Sequence, residues 1–254
     1  FGDRDAEDVE LGYDSTESGL VAYWPMDENS GSTATDVAGS NDGTIKNDTT
    51  LGAEGVLGTT SYSFAGDNEY VQVPDSSSLE MNGTNEVTVS VWLKTDGYYS
   101  GWHSIVQKSD ESYNLHMADN VRPVFNIYDS GYNKANSGVV LSAGEWYHLA
   151  GTFDGSTIRI YVDGDLEATG SASYIDDASG WDVGIGENLQ YRGRYFNGTI
   201  DEVRVYDRAL SGTEVEALAN GSSPSDPNAA WNGTHVTGWE TADADLGAGN
   251  LALS

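Results

Sequence analysis

The chain has 254 residues, with 41 acidic against 11 basic side chains, a formal net charge of −30 and no cysteine. That excess repels DNA, RNA and anionic lipid. The absence of Cys excludes disulfides, thiolate metal sites and a Cys nucleophile, and no apolar run approaches the roughly 20 residues that span a bilayer.

The first 18 residues, FGDRDAEDVELGYDSTES, hold seven acids and one Arg without apolar periodicity, the pattern of a solvated tail over 1–18. The chain opens on Phe1 rather than Met, as expected of a processed or excised piece. From Gly19 onward, short apolar or alternating runs recur between Gly, Asp, Asn and Ser clusters, which predicts strands joined by turns. They are VAYWPM (21–26), SYSFAG (61–66), YVQVP (70–74), VTVSVWLK (87–94) and HSIVQK (103–108), then YNLHM, VFNIYD, GVVL, WYHLAGTF and WDVGIG. In VTVSVWLK, Val87, Val89, Val91 and Leu93 alternate with Thr88, Ser90, Trp92 and Lys94, predicting one core face and one wetter face. In TIRIYVDGDLEATG, Ile158, Ile160 and Val162 alternate with Arg159, Tyr161 and Asp163. Asp163-Gly164 then supplies a two-residue hairpin turn, whose central positions need positive φ. One helix is predicted. Ser211 caps it, Glu214 completes a capping box, Val215 and Leu218 give it an apolar side, and Asn220-Gly221 stops it. Many short strands and a single helix predict an all-β antiparallel sandwich over 19–222. SSPSDPN (222–228) has the composition of a linker. The extension over 223–254 is too short to hold a core of its own, although it carries Trp231 and Trp239.

Four stretches, taken in order, carry a family resemblance. They are GLVAYWPMDENSGSTATDVAGSNDGTI, SYSFAGDNEYVQVPDSSSLEM followed by VTVSVWLKTD, EWYHLAGTFDGSTIRIYVDGDLEATG and FNGTIDEVRVYDRALSGTEVEAL. Over residues 19–219 the chain resembles the laminin-G-like jelly-roll domains of the concanavalin-A-like lectin/glucanase superfamily. The resemblance implies a jelly-roll sandwich of two curved antiparallel sheets, one convex and one concave. It also implies that the concave face or its rim binds carbohydrate or protein, and that a structural Ca2+ is common. The spread of acids along the chain predicts a high-salt environment, where the Debye length falls to about 3 Å at 1 M. Together these give an extracellular, non-catalytic binding or adhesion module of a halophilic (haloarchaeal) surface glycoprotein, with carbohydrate or another surface glycoprotein as partner. The alternative to the high-salt reading is an ordinary acidic secreted protein; the alternatives to the binding module are a degraded or unrecognised glycosidase and a structural subunit of a surface or filament assembly. In such an assembly the terminal segments would contact neighbouring copies, for instance by adding a strand to an open sheet edge.

The candidate chemistry starts at Asp201 and Glu202, two acids inside a predicted strand. Strict alternation puts Asp201 with Val203 and Val205 on the core-leaning face, and Glu202 with Arg204 on the other. A carboxylate buried there needs a partner, either a cation or an Arg or backbone N–H. Because the resemblance brings the loop AGDNEY (65–70) close to the last strand, Asp201, Asp67 and Asn68 form the candidate Ca2+ set. Glucanases of the superfamily carry Glu-x-Asp-x-x-Glu or a close variant, and that spacing is absent. His103, His116, His148 and His235 are scattered singly. No catalytic residue is therefore assigned. Tyr98, Tyr99, Trp102, Tyr191 and Tyr195 fall near turns, where aromatic faces suit sugar rings. Arg192 and Arg194 form a close basic pair able to fork onto a uronate or sulfate, or else to neutralise local acids. Asn-x-Ser/Thr glycan acceptors occur at Asn47, Asn82, Asn197, Asn220 and Asn232.

Overall fold

A computed structural model describes residues 17–56, 60–81, 83–97 and 101–224. Among them lie sixteen strands, one α-helix and a short 3-10 turn at Ser77–Leu79. The first eight strands are β1 (Leu20–Trp24), β2 (Thr33–Ala34), β3 (Gly43–Lys46), β4 (Thr50–Glu54), β5 (Thr60–Ala65), β6 (Tyr70–Val73), β7 (Val87–Thr95) and β8 (His103–Gln107). The rest are β9 (Tyr113–Ala118), β10 (Arg122–Tyr128), β11 (Tyr132–Asn136), β12 (Trp146–Phe153), β13 (Thr157–Val162), β14 (Asp165–Ser171), β15 (Val183–Ile185) and β16 (Asn197–Tyr206). Helix α1 is Gly212–Ala219.

The strands form two eight-stranded sheets. Sheet A runs β14-β13-β12-β7-β16-β5-β4, with β1 also paired to β16, and sheet B runs β11-β10-β9-β8-β15-β6-β3-β2. All pairings are antiparallel. The molecule is the antiparallel sandwich that the alternating runs predict, in the jelly-roll form that the family resemblance implies. Val87, Val89, Val91 and Leu93 from sheet A meet Tyr113, Leu115, Phe125 and Ile127 from sheet B in one continuous core. At Gly151 the sheets press so close that a Cβ there would stand 2.2 Å from the Phe125 ring.

Local sequence rules hold at the hairpin and the helix. Asp163 and Gly164 take φ 52° and 88°, as a two-residue turn requires. Ser211 and Glu214 close a capping box, which satisfies two otherwise unpaired backbone donors.

Four expectations need correction. GVVL (138–141) is not a strand; Leu141 is held by a backbone hydrogen bond to Val121 while Val140 is exposed. The second face of β7 is not wet. Thr88, Ser90 and Trp92 are buried, because α1 and Leu210 lay Val215 and Leu218 over Tyr206, Tyr161 and Ala150. The predicted tail 1–18 does not end cleanly at the sandwich, since Glu17 is buried and accepts the Tyr206 hydroxyl. Finally, the Asp201–Val203–Val205 alternation fails at a β-bulge. Glu202 adopts φ 54° and the register shifts between Asp201 and Arg204. Ile200, Val203 and Val205 face the core, and Asp201 stands opposite Trp92 on the far face, as Arg204 does opposite Ser90.

Candidate functional site

The outer face of sheet A holds a buried polar network. The Glu202 carboxylate is 2.7 Å from the Arg204 guanidinium and accepts the Tyr23 hydroxyl at 2.7 Å. Arg204 lies 4.0 Å from the Tyr23 ring centre. The Asp201 carboxyl accepts the backbone N–H groups of Val56 and Glu202. Burial, and after it the charge of Glu202, raises its pKa well above the usual carboxylate range. Ser90 and His148 lie 2.8 Å apart, a Ser–His pair in form. Both are buried, at 0% and 1% exposure, with Trp92 packed 5.4 Å from the His148 ring and α1 lying over the adjoining Ala150. Burial also pushes the His148 pKa down to about 3. This network holds the sheet together and offers no open chemistry.

The proposed calcium ligands are not brought together. The register pairs Asn197 with Ala65 and Ile200 with Tyr62. Asp67 and Asn68 therefore continue past one end of this ladder and Asp201 past the other, roughly 20 Å away at the rise of a strand. Asp67 and Asn68 are exposed, and their backbone N–H groups turn onto Glu69. Among the described residues no group of three or more His, Asp or Glu side chains is placed to hold a metal ion. The residues present do not fit Ca2+ in the arrangement expected.

The outer face of sheet B is different. Straight across it run cross-strand neighbours Lys134–Asn126–Asn114–Gln107–Gly184–Gln72–Thr44. This polar row arises because each strand sends its apolar residues inward, as Phe125 and Ile127 do on either side of Asn126. Half of the row is covered by the segment following β15. Gly184 allows that covering, since a Cβ there would stand 2.2 Å from the Glu187 carbonyl oxygen. The returning segment is tied by Asn188 to Asp110 at 2.7 Å, by Arg194 to Asp110 at 2.9 Å and by Arg192 to Glu187 at 2.6 Å. Gln107 and Ser104 extend the chain of bonds beneath it.

Three large aromatics stand out from this face: Trp102 at 41%, Tyr191 at 47% and Tyr132 at 53% exposure. Trp102 stacks flat on His116, with ring centres 4.7 Å apart and an 11° tilt. Lys134 and Arg194 lie 5.3 Å and 5.8 Å from the Trp102 ring centre, and Arg194 is 5.4 Å from that of Tyr191. Burial, and next the charge of Asp110, raises the Tyr132 phenol, which also feels Tyr191 across the face. Together they frame a patch floored by Asn126, Asn114 and His116. Burial holds the His116 ring neutral, with a pKa of about 3.

Of the residues expected to bind ligand, Trp102, Tyr191 and Arg194 are brought together here. Arg192 sits to one side, stacked on Tyr70 at 4.7 Å. Tyr195 is half-buried, with its carbonyl against His103. Neither arginine stands open for an anion, as each is matched to an acid of its own. Tyr98 and Tyr99 lie outside the described residues, as do the glycan acceptors Asn82 and Asn232. Asn47 and Asn220 are exposed and Asn197 is half-buried in β16. Sequence reasoning missed Asn126, Asn114, Lys134 and Tyr132. The single polar residue in VFNIY was the signal for the first of them.

A family model described as the concanavalin A-like lectin/glucanases superfamily matches residues 65–216. No curated protein matches the chain. Among solved structures, one similar fold is domain 4 of AbnA, an extracellular GH43 arabinanase from Geobacillus stearothermophilus, in complex with arabinotriose. It is 22% identical over 80% of this chain and 99% of that one, with a TM-score of 0.64. The binding domain of Paraclostridial Mosquitocidal Protein 1 is 16% identical over 80% of this chain and 52% of that one, at 0.67. Trypanosoma rangeli sialidase in complex with sialic acid is 18% identical over 79% of this chain and 32% of that one, at 0.62. At these identities the likeness is one of fold.

Proposed function

The chain belongs to the concanavalin A-like lectin/glucanases superfamily, and on that premise we propose that it is a non-catalytic carbohydrate-binding module whose binding surface is the outer face of sheet B. The observation that carries this is the grouping of exposed Trp102, Tyr191 and Tyr132 around a floor of side-chain amides. Apolar ring faces take the C–H faces of sugars, while amides and a lysine meet their hydroxyls. The arabinotriose complex of the similarly folded arabinanase domain supports a sugar as ligand. Asp110 and Glu187, two carboxylates beside the patch, are tied to Arg194 and Arg192. That arrangement stiffens a surface and is not one poised for proton transfer. The same reading places the module outside the cell, where polysaccharide is met. The assembly alternative rests on terminal segments that fall outside the described residues, apart from Glu17–Gly19 and the last few before residue 225.

The test is retardation of the protein in gels containing soluble polysaccharides, comparing it with Trp102→Ala. Binding weakened on the order of tenfold or more, the loss expected of an interface anchor, supports the reading. Retention on a polysaccharide that is indifferent to the substitution contradicts it.

A further inference from the structure

Seven buried side-chain atoms of the described residues lack a hydrogen-bond partner, and four of them lie together on the outer face of sheet B: Ser112 Oγ, His116 Nε2 and both Nδ2 and Oδ1 of Asn126. The register makes them neighbours. Asn126 stands opposite Asn114, so His116 and Ser112 are its two diagonal neighbours on the adjoining strand segment. All three residues are buried, with Asn126 and Ser112 at 0% and His116 at 2% exposure. Such groups are rarely left unpaired, because each costs about 1–3 kcal/mol.

We propose that the ligand completing these bonds is a neutral sugar that presents two adjacent hydroxyls to Asn126 and one to His116. This inference rests on the carbohydrate-binding reading above and names the sugar class. The polarity of the unpaired atoms calls for hydroxyls rather than an acidic group at this point of the sugar, and the net charge of −30 disfavours an acidic sugar as a whole. His116 Nδ1 is 2.6 Å from Asn114 Oδ1. An amide oxygen only accepts, so Nδ1 carries the hydrogen of the neutral ring and Nε2 is an acceptor. Asn126 adds a second acceptor, Oδ1, beside one donor, Nδ2. Hydroxyls both donate and accept, so a vicinal pair satisfies the amide at both ends while a further hydroxyl donates to His116. A carboxylate or sulfate only accepts and would leave both acceptors buried and unpaired. The arginines expected to hold an acidic sugar are already matched to Glu187 and Asp110. Access runs past Lys134, the exposed cross-strand partner of Asn126. Its four-carbon stem lets it swing off Trp102.

The test is calorimetric titration of the full chain with arabinotriose, xylotriose and mannotriose, and with trigalacturonate as the acidic counterpart. Asn126→Leu removes the amide, and His116→Phe keeps a ring under Trp102 while removing the acceptor. The inference predicts that at least one neutral trisaccharide binds better than trigalacturonate. It also predicts that each substitution weakens this binding on the order of tenfold with the fold, followed by thermal unfolding, intact. Neutral binding unchanged in both variants overturns the diol contact and leaves the sugar-binding face standing. So does a lowered unfolding temperature without loss of affinity, the mark of a structural water at these atoms. Preference for trigalacturonate overturns it too. If none of the four sugars binds, the carbohydrate reading fails and takes this inference with it.

Discussion

Asp201 and Glu202 are adjacent acids with opposite fates. Glu202 gains a guanidinium and a phenol; Asp201 gains only two backbone N–H groups and the unfavourable charges of Glu202 and Asp27. Its folded pKa is raised above the unfolded value. The stability it contributes is thus complete below the ordinary carboxylate pKa and is lost as pH rises through the folded one. His116 is the reverse case. Its pKa falls to about 3, so its contribution is complete above the usual histidine value near 6.5 and is lost as pH falls towards 3. NMR titration of the Asp201 carboxyl carbon and the His116 ring checks both. The expected result is an Asp201 midpoint well above the ordinary range, with His116 neutral down to about pH 3. An ordinary Asp201 midpoint would mean that a cation or an unseen donor holds its charge.

At the scale of elements, the segment after β15 makes the face what it is, and Gly184 lets it lie down. Gly184→Ala places a methyl 2.2 Å from the Glu187 carbonyl oxygen and 2.9 Å from Leu189. Displacing the segment costs about 1–3 kcal/mol, as overpacking does, and moves Tyr191 and Arg194 away from Trp102. Gly138→Ala, where a Cβ meets nothing within 4 Å, is the control. Denaturant unfolding together with glycan affinity reads the difference. Loss of both in Gly184→Ala alone is expected, and full affinity in Gly184→Ala would show that the segment plays no part.

Elements were legible in the sequence where local chemistry fixes them. The alternation of Val87 to Leu93, the Asp163-Gly164 turn and the Ser211–Glu214 box each correspond to a feature of the fold. The bulge at Glu202 was not legible, because a non-glycine residue at φ 54° has no composition of its own. It moves Asp201 to the opposite face and undoes the calcium set. The floor of the patch was half legible. Asn126 is visibly the polar residue between Phe125 and Ile127, but its complete burial comes with cross-strand neighbours, Asn114 and Lys134, that only the folded sheet supplies.

For the whole molecule, a net charge of −30 sets what it can meet. A polyanion would be repelled over its surface, whereas a neutral glycan carries no such penalty, and hydroxyl contacts to amides do not weaken as salt screens charge. Sheet A is closed at its centre by α1, which packs over Tyr206, Tyr161 and Ala150; sheet B presents exposed aromatics beside four clustered unpaired atoms. The account therefore has one central claim, that sheet B is the working face. It is tested most directly by following backbone and side-chain amide NMR shifts while a neutral oligosaccharide that binds is added. The account predicts shifts concentrated on the Trp102 indole, the Asn126 side-chain amide, β8 to β11 and residues 187–195. Shifts centred on α1 or on the outer face of sheet A would contradict it.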